Sequence, residues 1–534
     1  MRIDNYKPQQ NVTDKINGQQ TEWKNGDIVL ISSGTASGKS YFIRNELEEL
    51  AESEGTYILL LVNRSKLFKQ NMELIGQSFL SRIKVELYQN IEREINSGKG
   101  YDFSRYKYIV CDESHYFTTD SGFNDSSDES LNAILSLHSH IRIFMSATGS
   151  ILFSHIKEKH RRLLKKTDNK IWNYSIPRDF SNIASLSFYS DFSSIERLIK
   201  KKLNNENDKI IHFSKSVERA YELHKKYHDN SMFVCSNSNK YSKYIDYNKV
   251  ESMVRSNQFD CKYLFTTTVL DNGFDLKDEN IKLIICDMSD IDSMLQCIGR
   301  KRFKNNKDKV HIILFNHTNR NLYNYKLSVE KKVKEADAFI DGGVKEYIKL
   351  VGKFSKGSNH IIKDNVSSEG KYKSNKTVSI TKYLQSVATS NRISEMLDNN
   401  RETNKYREVD GHKKESDAYM MYIADLLKKN KITILEKEQK QEDLCVYLDR
   451  MVGKRIYKDE QLDVLERFNL RDYDNRLQKE INQLQAYLMA NKIMYSIASF
   501  KDNRKLLDDA SKNSNRGKYY WSISKHEEKI VCHK

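Results

Sequence analysis

The sequence predicts an α/β protein with two parallel-sheet domains in tandem and a mainly helical region behind them. Three observations carry that expectation. Up to residue 340, short continuous apolar runs alternate with amphipathic stretches. Runs that are apolar at every position suit strands buried on both faces, as in parallel sheets covered by helices. The runs are too many for one compact sheet, so two sheets are expected. Beyond residue 378 the pattern turns helical, with Leu477, Ile481, Leu484 and Leu488 recurring on one helix face.

The expected strands are Asp27–Ser32, Thr56–Asn63, Tyr108–Cys111 and Ile141–Met145 in the first block. Lys209–Phe213, Tyr263–Thr266, Ile281–Asp287 and Val310–Phe315 follow in the second. Pro177, one of only two prolines, lies between the blocks, where an extended X-Pro step suits a linker. The expected domains are therefore 1–177 and 178–340. Residues 341–377 include the polar stretch KFSKGSNHIIKDNVSSEGKYKSNKT and read as a connector. Residues 378–534 form the helical C-terminal domain, and the apolar stripe in it reads as packing core.

A chain of 534 residues exceeds one ordinary domain. The formal net charge of +16 and a pI near 9.1 favour a polyanionic partner, because cations placed on phosphates release counterions. A solvated basic surface is the alternative reading. The longest apolar runs, such as Tyr57–Val62, fall well short of the roughly 20 residues that cross a bilayer, so no membrane partner is expected. The first ten residues, MRIDNYKPQQ, lack the apolar core of a secretion signal. The seven cysteines are scattered singly, which indicates neither a disulfide framework nor a zinc ribbon. A cytoplasmic setting is the expectation.

The strongest local signal is Ser33-Gly34-Thr35-Ala36-Ser37-Gly38-Lys39-Ser40, between a strand and the helix-like YFIRNELEELAE. Strand, glycine-rich loop and helix together make a phosphate-binding loop. The glycines let backbone N–H groups approach phosphates, and the helix presents its positive end to them. Lys39 would reach the β- and γ-phosphates, and the Ser40 hydroxyl would ligate Mg²⁺. Ser33 stands where the common pattern has Gly.

The strand ending at Cys111 runs into Asp112-Glu113-Ser114-His115. Adjacent carboxylates at the carboxyl end of a parallel strand stand where such sheets bind ligands. Asp112 can hold Mg²⁺, and Glu113 can orient and deprotonate an attacking water.

With these two blocks in place, the chain resembles superfamily 2 helicases of the DExH kind. Asn63-Arg64-Ser65-Lys66-Leu67, Tyr88-Gln89-Asn90 and Ser146-Ala147-Thr148 follow in the family's order. Phe213-Ser214, then Thr267-Thr268-Val269-Leu270-Asp271-Asn272-Gly273-Phe274-Asp275, then Gln296-Cys297-Ile298-Gly299-Arg300 complete it. The resemblance covers roughly residues 20 to 330. The tyrosine–glutamine block and the compact last motif resemble phage and viral replication helicases, including the herpesvirus origin-binding type.

The resemblance implies two RecA-like domains with ATP and Mg²⁺ between them. Gly34, Thr35, Ala36, Ser37, Gly38, Lys39 and Ser40 would bind the nucleotide from one side, Gly273 and Asp275 from the other. Lys39, Asp112, Glu113, Gln296 and Arg300 would carry hydrolysis. In the family a second arginine falls where this chain has Phe303, so Arg302 is the nearest substitute. Arg64, Gln89, Thr148, Thr267 and Thr268 would grip a nucleic-acid backbone, largely without reading bases.

Gln20, upstream of the loop, reads either as an adenine contact or as a solvated polar residue. Arg161-Arg162 with Lys165-Lys166, Lys200–Lys202, and Lys301-Arg302-Lys304 read as nucleic-acid contacts or solvated faces. The C-terminal region, with its Tyr519-Tyr520-Trp521, would engage nucleic acid or a replication or defence partner. A docked bundle that only stabilises the second domain is the alternative. The leading expectation is an ATP-driven DNA helicase or translocase, moving 3′ to 5′ by family analogy, in replication of a phage or mobile element. An RNA helicase, the motor of a restriction or phage-defence system, and a non-enzymatic nucleotide-gated initiator stand beside it.

Overall fold

The computed structural model of the chain describes residues 11–34, 37–63, 68, 81–119, 124, 126–164, 168–192, 195, 198–199, 207–268, 275–352, 359–366, 374–403, 407–409, 412–414, 417–468, 470, 477–506 and 511–526. The chain divides into two compact units. One comprises Met1–Phe188, Ile195–Glu402 and Asp417–Ile432; the other comprises Tyr189–Ser194, Thr403–Ser416 and Thr433–Lys534.

The first unit holds two sheets. Strands β1 (Ile28–Ser33), β2 (Tyr57–Val62), β3 (Ile83–Leu87), β4 (Tyr106–Cys111), β5 (Ile141–Ser146) and β6 (Ile171–Ile176) form the first lobe. Their order is β3-β2-β4-β5-β1-β6, and every neighbouring pair is parallel. Alternate side chains feed two apolar layers. Val29, Ile31, Ile58 and Leu60 pack with Phe42 and Leu47 on one face. Ile28, Leu30, Leu59 and Leu61 pack with Ile91, Ile134 and Leu152 on the other. Burial on both faces is why these strands read as unbroken apolar runs.

The second lobe contains β7 (Ile183–Tyr189), β8 (Lys209–Phe213), β9 (Ser231–Val234), β10 (Tyr263–Thr266), β11 (Ile281–Cys286) and β12 (Val310–Phe315). These six follow one another as β7-β12-β11-β8-β10-β9. The pairings of β10 with β8 and β9, and of β11 with β8 and β12, are parallel. The chain passes from the first sheet to the second between Ile176 and Ile183. The expected strands lie within two residues of the observed ones, but β3, β6, β7 and β9 were not expected. Three of these are edge strands or very short. β3, with its exposed Lys84, lacks the apolar run that buried strands show.

The 341–377 connector is corrected by the structure. Residues 341–351 are the last turns of the helix Asn319–Val351, which kinks at Gly343 (φ 65°). Ile362–Val366 and Ser374–Val378 pair as antiparallel strands. A single C-terminal domain from 378 is also corrected, since Ile380–Thr403 and Ala418–Leu426 are helices belonging to the first unit. Their side chains explain it. Tyr419 is buried against Phe188 and His317, and Arg392 forms an ion pair with Asp292.

The second unit is built on helices Leu435–Met451, Lys458–Phe468 and Ile481–Ala490 and the hairpin Tyr495–Lys501/Tyr519–Lys525. Leu448, Val464, Leu484, Leu488 and Ile523 share its core. Leu477 precedes the helix of the expected stripe, and Trp521 is a core residue rather than part of an exposed aromatic face. Among the described residues no helix is long and apolar enough to cross a membrane.

Candidate active site

The carboxyl end of β1 turns through Gly34 to Ser37 and Gly38 and enters a helix at Lys39. Gly38 has φ 88°, a left-handed conformation that a Cβ disfavours. Ser37 Oγ donates to the Gly34 carbonyl at 2.8 Å, and the Val12 N–H donates to the Ser37 carbonyl at 2.9 Å. The helix widens into a π-turn over Phe42–Leu47 directly behind the loop. Lys39 is buried; its Nζ lies 3.4 Å from the Ser33 carbonyl oxygen and 4.0 Å from a Glu113 carboxylate oxygen. Ser40 is exposed at the helix start. Thr35 and Ala36 lie outside the described residues.

At the end of β4, Asp112 Oδ1 accepts from the Glu113 N–H at 2.9 Å. Glu113 adopts φ 47°, unusual for a residue with a Cβ, and this turn sets its carboxylate toward Lys39. Burial, then the neighbouring Glu113 charge, pushes the Asp112 carboxyl up to about 6. Burial opposes the charge on Glu113 too, but Lys39, His115 and Arg300 outweigh it and hold that carboxyl well below the usual range. Glu113 is thus a charged carboxylate, and the charge of Arg300 acts on it.

His115 joins the two lobes. Its Nδ1 is 3.3 Å from Glu113 Oε2 and 3.1 Å from Ser146 Oγ. Its Nε2 is 2.9 Å from Gln296 Nε2, and Gln296 Nε2 also donates to Thr148 Oγ1 at 3.2 Å. With the Gln296 amide donating, Nε2 of the imidazole is the bare nitrogen and Nδ1 carries the proton. Gln296 sits on the helix Ile291–Ile298, whose N-cap Asp290 accepts from the Ser293 N–H.

Beyond that helix, the Leu276 N–H donates to the Arg300 carbonyl and the Arg302 N–H to the Leu276 carbonyl, at 2.9 and 2.8 Å. Extended backbone sends alternate side chains to opposite sides. Lys301 therefore points inward, where both Asp308 carboxylate oxygens accept from its Nζ at 2.8 and 2.7 Å. A nucleic-acid role for Lys301 is corrected by this burial. Arg302 pairs with Asp275 at 2.7 Å, so the two candidates from different motifs hold each other. Arg300 is buried.

A cavity of about 910 Å³ separates the lobes, lined by Gly34 and Ser37 from one and Gln296, Gly299 and Arg302 from the other. Backbone at Gly34 and Ser37 with Arg178, Arg302, Lys428 and Lys429 gives the lining a cationic donor set that fits a polyphosphate. Among the described residues no cluster of three or more His, Cys, Asp or Glu is placed to hold a metal. Mg²⁺ needs none where phosphates complete its shell beside one carboxylate and one hydroxyl, as Asp112 and Ser40 offer.

The expected nucleic-acid contacts fare unevenly. Thr148 is buried, with its hydroxyl engaged by Gln296 across the lobes rather than open to a strand. Gln89 Nε2 donates to the Asn63 carbonyl at 3.2 Å. Thr267 and Thr268 follow the carboxyl end of β10. Arg64, Gly273, Lys165, Lys166 and Lys200–Lys202 lie outside the described residues. Gln20 is buried rather than solvated.

The supporting contacts of several residues escaped the sequence, although Tyr88 and Ser214 stood in its motifs. The Tyr88 hydroxyl donates to the Asp112 carbonyl at 2.9 Å, with its ring stacked 4.5 Å from Tyr116. Asp287, buried at the end of β11, accepts from Ser214 Oγ at 3.1 Å and from Arg219 Nη1 at 2.7 Å. An acidic residue ending an apolar strand is a findable signal; that the Tyr88 hydroxyl reaches the Asp112 carbonyl is not, since the two are 24 positions apart.

No protein-family model and no curated protein matches the chain. Among solved structures it is similar to Dbp5 of S. cerevisiae bound to RNA and ADP BeF3, with 14% identity, 61% of this chain and 84% of that one covered, and a TM-score of 0.40. It is similar to the DEAD-box helicase Mss116 bound to ssRNA and UDP-BeF, with 13% identity, 66% and 79% covered, and a TM-score of 0.42. It is also similar to the helicase Lhr of Mycobacterium smegmatis bound to ssDNA and AMP-PNP, with 16% identity, 60% and 44% covered, and a TM-score of 0.33. The two-lobed α/β fold of this chain rests on its own strand pairing.

Proposed function

We propose that this protein is a nucleic-acid-stimulated ATPase, a motor of the superfamily 2 helicase type. The observation that carries the reading is that Glu113 lies beside Lys39 and His115 of the first lobe, while Gln296 of the second lobe contacts that His115 and the charge of Arg300 acts on that carboxylate. Lys39 takes the β- and γ-phosphates, and the loop N–H groups take the rest of the chain of phosphates. Asp112 and Ser40 would hold Mg²⁺, which would supply neutralisation of the phosphate charge. Glu113 accepts the proton of the attacking water, while His115 orients that carboxylate. Arg300 reaches the γ-phosphate from the second lobe, so lobe closure and hydrolysis depend on one another. The residues after the carboxyl ends of the strands, Thr267 and Thr268 among them, hold the nucleic-acid backbone.

DNA is the polymer the sequence favours, on D-E-S-H in the second motif, and replication of a phage or mobile element is the favoured setting. The second unit adds a grip on substrate or on a protein partner. The test is ATP turnover by the full chain with no polymer, with single-stranded DNA and with single-stranded RNA. Turnover stimulated by DNA above RNA is the expected result. Stimulation by RNA alone reverses the polymer, and nucleotide binding without turnover replaces the motor with a nucleotide-gated binding module.

A further inference from the structure

The second lobe carries an aromatic and basic surface that the nucleotide chemistry does not use. Tyr221, on the helix Val217–Lys226, rests against the buried Phe233 of β9 at 5.7 Å between ring centroids. Two rings from the 3₁₀ turn Lys240–Tyr244 lie on it in their turn: Tyr244 stacked at 4.4 Å and Tyr241 at 5.1 Å. The turn is pinned at both ends. Asn239 Oδ1 accepts from the Tyr241 N–H at 3.0 Å, and Ile245 is buried beneath. Tyr244 is nonetheless 43% exposed and Tyr247 54%. Lys240 Nζ sits 5.1 Å from the Tyr241 ring centre and Lys243 Nζ 5.0 Å from that of Tyr244. Lys240, Lys243 and Lys249 face outward; Asp246 caps the next helix and lies 4.0 Å from Lys249 Nζ, and Glu222 neighbours Tyr221.

Its place in the sheet matters. β9 pairs with β10 in parallel register, Val234 opposite Thr266, so both strands end together. The turn therefore follows the edge strand on the same carboxyl-end side from which Thr267 and Thr268 emerge. Rigid aromatic faces beside lysines suit single-stranded nucleic acid, whose bases stack while its phosphates meet cations.

We propose that the turn Lys240–Tyr244, backed by Tyr221, is a docking surface for single-stranded nucleic acid that continues the path from Thr267 and Thr268. Tyr244 takes a base on its open face, and Lys240 and Lys243 take the flanking phosphates. This rests on the motor reading above and names a contact beyond its motifs.

The test uses the full chain and a labelled single-stranded oligonucleotide, in DNA and RNA forms of one sequence. Tyr244→Ala is expected to weaken binding about tenfold, with Tyr244→Phe close to the unaltered chain. In ATPase titrations the oligonucleotide KM rises while kcat at saturating oligonucleotide stays. Lys240→Gln with Lys243→Gln, on exposed side chains, is expected to reduce the slope of log affinity against log salt by about 1.4. Ultraviolet crosslinking is expected to mark the peptide containing residues 240–247. If the oligonucleotide binds and stimulates the unaltered chain but is indifferent to Tyr244 and both lysines, this inference fails alone. If it neither binds nor stimulates the unaltered chain, the motor reading fails and takes this one with it. A surface whose variants lose only a protein partner is overturned as a nucleic-acid site.

Discussion

Gln296 Nε2 lies 2.9 Å from Nε2 of His115, and the other imidazole nitrogen lies 3.3 Å from the Glu113 carboxylate. One side chain of the second lobe thus reaches, through a single ring, the carboxylate of Glu113 on the first. Opening the lobes breaks that link and releases the ring that orients Glu113. His115→Ala is expected to lower stimulated turnover about 100-fold, since small misplacements of a catalytic group cost that much. Nucleotide affinity should hold, because the phosphate contacts are elsewhere. Turnover unchanged in His115→Ala removes the imidazole from the coupling.

Lys39→Ala and Glu113→Gln should both stop hydrolysis, for different reasons. Lys39→Ala removes a phosphate contact, so nucleotide affinity falls with the rate. Glu113→Gln keeps the neighbouring Asp112 and loses only the base, so ATP binds and stays, with turnover down by about 10²–10⁴. Equilibrium binding of a labelled nucleotide beside a turnover assay separates the two. Parental hydrolysis by Glu113→Gln would remove that carboxylate from the mechanism.

The two arginines of the last motif are not equivalent. The charge of Arg300 acts on Glu113, whereas Arg302 is paired with Asp275. Arg300→Ala is expected to cost about 10³ in stimulated rate with nucleotide binding largely intact. Arg302→Ala should cost far less. A silent Arg300 beside a severe Arg302 would move the finger to the shifted position.

Arg392 and Asp292 make an ion pair at 3.2 Å, with side chains 22% and 11% exposed, one turn before Gln296. Arg392→Ala strands a buried carboxylate and is expected to destabilise the fold by about 3 kcal/mol. Adding Asp292→Asn should recover part of that loss, which a denaturation cycle on the four chains measures. Strict additivity would mean the pair contributes no coupling.

Acid should weaken the fold through buried imidazoles. Burial, then the charge of Arg142, lowers the His160 pKa to about 4, and burial also lowers that of His212. Unfolded histidines take protons near 6.5. Between that pH and about 4 the unfolded chain binds more protons, so stability is full above 6.5 and falls as pH drops toward 4. His160 alone accounts for about 3 kcal/mol of this loss. His160→Gln should flatten the decline between denaturation midpoints at pH 7.5 and pH 4.5. Parallel declines in the two chains would place the acid sensitivity elsewhere.

The sequence by itself determined the parts whose signals are local. Unbroken apolar runs marked eight strands because burial on both faces leaves no polar alternation. Ser33–Ser40 and Asp112-Glu113 were legible because strand, turn and functional group are contiguous there. Edge strands such as β3 were not legible, since one polar side chain in two blurs the run. The tertiary structure alone decided what distant residues do to one another. Gln296 meets His115 across 181 positions, and Arg392 meets Asp292 across 100. It also sent Lys301 inward to Asp308, buried Gln20 and Trp521, and fixed Ile380–Thr403 to the lobes instead of to a separate C-terminal domain. Periodicity along a chain specifies which face of an element is apolar. Which charged groups share a buried space depends on how the elements pack, and packing brings together residues with no relation in sequence.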